Sequence, residues 1–209
     1  MKLLISGGKG SGIDFKKKEW QQCHTAVLLS LDTITKKVEI LLNYKINRDN
    51  SQFYSSNPGM LFKSYSKLVK GNILLTTPTE LIEFSILKNK IVKRLSHKLM
   101  NDIHHAIFFK HKYYIANTGR DSVLILDLNG DYVDEVFLYQ GLNLNKHQTI
   151  DQRFGKTDYR KISTTKPHLV HPNHLEIINN QVWKEIERNF QTISSTYLIN
   201  SSPEFYSLA

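Results

Sequence analysis

Residues 102–139 read DIHHAIFFKHKYYIANTGRDSVLILDLNGDYVDEVFLY, and four short apolar runs are legible in them. His105 to Phe109 is the first, and Lys110-His111-Lys112 separates it from Tyr113-Tyr114-Ile115-Ala116-Asn117. The turn Thr118-Gly119-Arg120-Asp121 leads into Ser122 to Asp127, and Asn129-Gly130 leads into a run that begins at Tyr132-Val133. Short runs rich in Val, Ile, Tyr and Phe, punctuated by Gly, Asn and Asp, are strands joined by hairpins. Asn129-Gly130 supplies the positive φ angles of a tight turn, and Gly119 is expected to do the same one turn earlier. Four antiparallel strands within about forty residues make a repeat-sized unit.

The unit recurs on both sides. Ser66 to Leu75 aligns without gaps on Ala106 to Ile115, with Leu81 to Phe84 and Lys90 to Leu95 as its outer strands. Leu175 to Trp183 aligns without gaps on Ala106 to Tyr114. Met1 to Ile5, Thr25 to Leu31 and Val38 to Leu42 give three strands of an earlier unit that lacks its innermost one. Repeats of this length and strand count predict an all-β chain, a β-propeller of four-stranded antiparallel blades. Its blades are expected at approximately residues 1–44, 59–99, 100–140 and 167–183, about three and a half in all. The polar stretches 45–58 and 141–166 read as surface loops. From Lys184 the spacing of Ile186, Phe190 and Ile193 predicts a short C-terminal helix, so that 184–209 form a non-repeat tail. Closed rings of this repeat length usually hold about six or seven blades. The expectation is therefore a truncated propeller, with a genuine short propeller capped by the helix, or one completed by self-association, as the alternatives.

Composition sets the function classes. Hydrophobic residues make up 40% and aromatics 11%, with ten Tyr and ten Phe, as in a globular domain able to form a core. The formal charge is +9, yet only Lys16-Lys17-Lys18 form a basic run, so nucleic acid is not an expected partner. Cys23 is the sole cysteine, which excludes an intrachain disulfide and a Cys-based zinc site and points to a reducing compartment. The apolar run Met1 to Ser6 is too short for a signal peptide or a membrane span. A cytoplasmic protein without a membrane partner is expected.

In a propeller the innermost strands line the central channel, so the residues just before them cluster at one mouth. In the third blade these are Asp102, His104 and His105; in the fourth they are His171, Asn173 and His174. The gapless frame superposes His104 on Asn173 and His105 on His174, whereas the second blade has Phe62, Ser64 and Tyr65 there. Imidazole and carboxylate suit zinc, manganese or iron, Asn and Asp oxygens suit calcium, and histidine suits proton transfer. His104, His105, His171 and His174 are thus the candidate acid/base residues, and Asp102, His104, Asn173 and His174 the candidate ligands of a divalent metal, calcium or zinc. The alternative is that these side chains cap strand starts. The antiparallel return of the second strand brings Asn117 toward this rim, and Arg120 in the turn has the fork that binds a carboxylate or phosphate. Both are candidate substrate-binding residues, with ordinary turn chemistry as the alternative. His168 extends the rim, while His24, His97, His111 and His147 read as surface residues. Gly7-Gly8-Lys9-Gly10-Ser11-Gly12 lacks the phosphate-loop spacing and reads as a flexible hairpin loop, and no Gly-x-Ser-x-Gly elbow is present.

The stretch His105 to Tyr132 resembles the NHL repeat and related six-bladed propellers, in which a strand ending in Ala-Asn precedes a turn and a strand of the Val-Leu-Ile-Leu-Asp type. Pro172-Asn173 resembles the Pro-Asn-Gly of gluconolactonase-type propellers, which implies a divalent-metal ligand at Asn173; His174 stands where that family has glycine. The set Asp102-x-His104-His105, Asn117-Thr118-Gly119 and His171-Pro172-Asn173-His174 is also similar to uncharacterised bacterial propeller proteins. Two functional expectations follow. One is a metal-assisted hydrolase or lyase acting on a small polar or sugar-like substrate. The other is a non-catalytic propeller that binds a small molecule, protein, glycan or nucleic acid at the channel mouth, or an inactive fragment of one.

Overall fold

The computed structural model describes residues 1–10, 23–45, 60–68, 71–138, 158–162, 168, 170–179, 181–186 and 195–199. They form an all-β chain of four antiparallel sheets. The first sheet contains β1 (Lys2–Gly10), β2 (Cys23–Asp32) and β3 (Val38–Tyr44) in that order. The second is the meander β4 (Ser64–Lys67), β5 (Asn72–Thr76), β6 (Leu81–Ser85) and β7 (Lys90–Leu95). The third repeats it with β8 (Ile103–Phe109), β9 (Lys112–Asn117), β10 (Ser122–Leu126) and β11 (Tyr132–Phe137). The fourth contains β12 (Pro172–Ile178), β13 (Gln181–Ile186) and β14 (Ser195–Ile199). Among the described residues no helix is long and apolar enough to cross a membrane.

The sheets pack face to face, because their strands are apolar on both sides. In β5, Ile73 and Leu75 join Ala26, Leu28 and Phe62 in a core between the first and second sheets, while Leu74 points the other way. Leu74 and Leu81 meet Ile103, Ala106, Ile115 and Leu124 in a second core, between the second and third sheets. Ile107, Ala116 and Val123 turn to the far face of the third sheet and meet Leu175 and Val182 of the fourth. Side chains alternate across a strand, so a continuous apolar run such as Val123-Leu124-Ile125-Leu126 feeds two cores at once.

Four expectations change here. Gly119 has no positive φ; it lies so close to Asn101 that a Cβ would meet Asn101 Oδ1 at 2.0 Å, and the left-handed residue of that turn is Asp121, at φ 50°. Gly7, Gly8 and Gly10 are not a hairpin loop but part of β1, paired with Cys23 to Val27, and a Cβ on Gly8 would strike Cys23 and Leu61. Lys184 to Ile186, expected to open a helix, complete β13; residues 187–193 lie outside the described residues. Ser195–Ile199, assigned to a non-repeat tail, pairs with β13 as the third strand of a repeat-like sheet. Hydrogen-bonded pairing to an exposed strand edge outweighed the weak helical spacing.

Most of the two polar insertions, 45–58 and 141–166, lies outside the described residues, but 158–162 does not behave as a surface loop. Asp158 caps a short 3-10 turn (Tyr159–Lys161), Tyr159 is buried, and Asn101 Nδ2 donates to the carbonyls of Tyr159 and Ile162 at 2.7 and 2.9 Å.

Candidate functional site

The leading ends of β8 and β12 share a local geometry. Asp102 and His171, superposed by the repeat frame, are both left-handed, at φ 50° and 54°. One residue beyond each, the pairing with the next strand skips a residue: the ladder jumps from Ile103 to His105 in β8 and from Pro172 to His174 in β12. The bulged residues are therefore His104 and Asn173. A bulge leaves one residue out of the ladder and re-aims its side chain. Here both side chains are aimed at each other, with His104 Nδ1 2.6 Å from Asn173 Oδ1. The amide oxygen only accepts, so Nδ1 carries the proton.

The other nitrogen of His104, Nε2, lies 3.7 Å from Asp102 Oδ2, and Asp102 Oδ1 is bonded to the Lys63 ammonium from the lead-in to β4. The result is a chain, Lys63, Asp102, His104, Asn173, that crosses three sheets. Burial alone would raise the Asp102 carboxyl, but the imidazole and ammonium beside it outweigh that and hold it well below the ordinary carboxylate range. The chain remains in reach of solvent: the side chains of His104 and Asp102 are 24% and 32% exposed. His171 meets His104 edge to face, with ring centroids 4.9 Å apart, and His168 lies 5.2 Å from His171.

A second pair sits beside this rim. His105 is buried and stacks on exposed His174 at 4.2 Å. His105 Nδ1 accepts the backbone N–H of Leu175 at 3.1 Å, which fixes its lone pair on β12 and its proton on Nε2. Burial, followed by the neighbouring His174, pushes the His105 imidazole down to about 4. His105 is thus a neutral link between two sheets and not a proton donor to a ligand.

The turn after β9 holds β12 in place. Asp121 Oδ1 accepts the backbone N–H groups of Val170 and His171, both at 2.9 Å, and Thr118 Oγ1 donates to the Pro172 carbonyl at 2.5 Å. These bonds seat His171 and Asn173 opposite His104.

The two residues expected to bind substrate face inward. Asn117 is fully buried, accepts the N–H of Asn101 at 2.9 Å and donates to the Leu99 carbonyl at 2.8 Å. Arg120 makes a two-pronged ion pair with Glu135 at 2.8 Å, lies 4.0 Å over the Tyr159 ring, and has a side chain 2% exposed. Its fork binds a carboxylate, but one belonging to its own sheet. Of the other histidines, His24 and His111 are exposed as expected and His147 lies outside the described residues. His97 is half-buried, and its Nδ1 accepts the N–H of Leu99 at 3.3 Å.

Of the four expected metal ligands, His104 turns Nδ1 to Asn173, Asp102 is bonded to the Lys63 ammonium, and His174 packs on His105. Among the described residues no three His, Cys, Asp or Glu side chains are arranged to hold a metal. Lys63 and the Tyr159 segment were missed by sequence reasoning, which read Asp121 with Asn117 and Arg120 as turn chemistry. Asp121 carries a usable signal, being an acidic residue that ends a turn at a left-handed position; Lys63 and Tyr159 enter through tertiary packing alone. The sequence matches no protein-family model and no curated protein.

Proposed function

We propose that the chain is a propeller-type binding module that recognises a small polar, acid-bearing ligand such as a sugar acid at the rim made by Lys63, Asp102, His104, His171 and Asn173. The observation that carries this reading is the chain of polar contacts across three sheets, Lys63–Asp102 and His104–Asn173 hydrogen-bonded and Asp102–His104 at 3.7 Å, partly open to solvent. Repeated four-stranded meanders packed face to face in chain order support a blade arrangement, in which the starts of β4, β8 and β12 gather at one mouth. Lysine and histidine at this mouth supply donors for carboxylate and hydroxyl oxygens, and the fixed network presents them without further ordering cost. Binding is favoured over proton transfer because His104 Nδ1 is held by Asn173 and His105 Nδ1 by the backbone N–H of Leu175.

Calorimetric titration with glucuronate and gluconate, against wild type and His104→Ala, tests the proposal. Saturable binding by wild type, weakened at least tenfold in the variant, is expected. Absence of binding to either at millimolar concentration, or equal binding by the two proteins, would defeat it. Turnover of the corresponding lactone, abolished by chelation, would instead revive the metal-assisted hydrolase.

A further inference from the structure

The first sheet has the sequence of an interior sheet but, among the described residues, only one packed face. Ala26, Leu28 and Tyr44 point into the core shared with the second sheet. The alternate residues point away, and the strand registers align them in two complete cross-strand rows: Leu3, Leu31 and Val38, then Ile5, Leu29 and Ile40. Val27 extends the patch beside Gly7 and Asn43. Leu3, Ile5, Val38 and Ile40 are 45%, 43%, 56% and 58% exposed. In the central strands of the second and third sheets, β5, β6, β9 and β10, the same alternation buries both faces, and contiguous apolar surface of this extent on a folded chain marks an interaction site.

We propose that this face seats the same face of a second copy of the chain, giving a symmetric sheet-on-sheet dimer. Two features select this occupant. Among the described side chains, the far face of β12 and β13 is mixed and not apolar throughout: Glu176 and Gln181 alternate with Ile178 and Trp183, and His174 stands exposed at its start. The first sheet, by contrast, is complementary to itself, as a two-fold interface requires. Two opposed copies of this seven-residue patch with its rim remove surface on the order of 1,000 Å² in total, at the lower limit for a specific interface. The proposal is independent of the ligand-binding rim, which lies at the starts of β8 and β12.

Sedimentation velocity on the full chain tests it, with Ile5→Lys/Ile40→Lys as the comparison. Both substituted side chains are exposed, and circular dichroism checks that the variant folds. The expected result is a concentration-dependent rise of the wild-type mass toward twofold, with the variant at the single-chain mass throughout. Carbene footprinting of wild type adds a readout that needs no variant: labelling of Leu3 and Ile40 should fall as dimer forms. A wild type that stays at the single-chain mass up to high micromolar concentration, with its face labelled or shielded, overturns the proposal. A dimer that survives in the folded variant, or whose formation leaves the labelling unchanged, overturns it too.

Discussion

His105 shows how one side chain couples stability to pH. Its folded value of about 4 lies below the 6.5 of the free side chain. Between those values the unfolded chain binds more protons, so the contribution of neutral His105 is complete above about pH 6.5 and is lost as pH falls toward 4. The difference corresponds to on the order of 3 kcal/mol. Urea unfolding from pH 7 to pH 4.5 should show the decline in wild type and a much flatter profile in His105→Gln; parallel profiles would remove His105 as the cause. Gly119 makes a steric claim at the same scale. Gly119→Ala places a Cβ 2.0 Å from Asn101 Oδ1 and 2.7 Å from the Asn101 carbonyl, so the turn must move. A loss of about 2 kcal/mol or more in urea unfolding is expected, since one neighbour is backbone and the Asn101 side chain is pinned through Nδ2 on the carbonyls of Tyr159 and Ile162. A neutral substitution would show that the turn relaxes freely.

At the scale of the element, the turn after β9 is the part that aligns the rim. Asp121→Ala removes two charge-assisted bonds to the backbone of residues 170 and 171, a loss of about 2–3 kcal/mol. Hydrogen exchange should accelerate at the Val170 and His171 amides in that variant while β5 and β9 stay protected; unchanged exchange would assign the hold on β12 to Thr118 or to packing. Arg120 and Glu135 make a separate test. Removing one partner of a buried ion pair strands the other charge, so Arg120→Met should cost about 3–5 kcal/mol and Arg120→Met/Glu135→Leu markedly less. Additive losses in the double variant would mean that the two do not act as a pair. The strands themselves were legible: β5, β6, β7, β9, β10 and β12 fall within a residue or two of the apolar runs, because a two-faced strand needs an unbroken apolar sequence. The β13 end was not, because Ile186, Phe190 and Ile193 satisfy a helical spacing that pairing with β14 overrides.

For the whole molecule, the repeat frame superposed His104 on Asn173 and His105 on His174 from the sequence, and the structure brings the two members of each superposed set into contact. The frame works because equivalent bulges place equivalent residues at adjoining strand starts. It failed at Lys63, which sits between the positions compared in the second unit. It failed also at Arg120, whose buried partner Glu135 lies across the sheet on β11. Such partners are properties of packing, and no spacing in the chain encodes them. The same frame gives no sign of which apolar faces stay open, since an interior strand and the uncovered β2 read alike.

The proposed role of His104 is that of an imidazole fixed by Asn173 in a rim that meets an acid-bearing ligand. Imidazole ¹⁵N spectra of the chain at pH 7, recorded during titration with glucuronate, test it most directly. The account expects His104 with its proton on Nδ1 in the free protein, and saturable shifts of the His104 and His171 signals together while buried His105 stays still. A His104 protonated only on Nε2, or signals of His104 and His171 that do not move at saturating ligand, would contradict it.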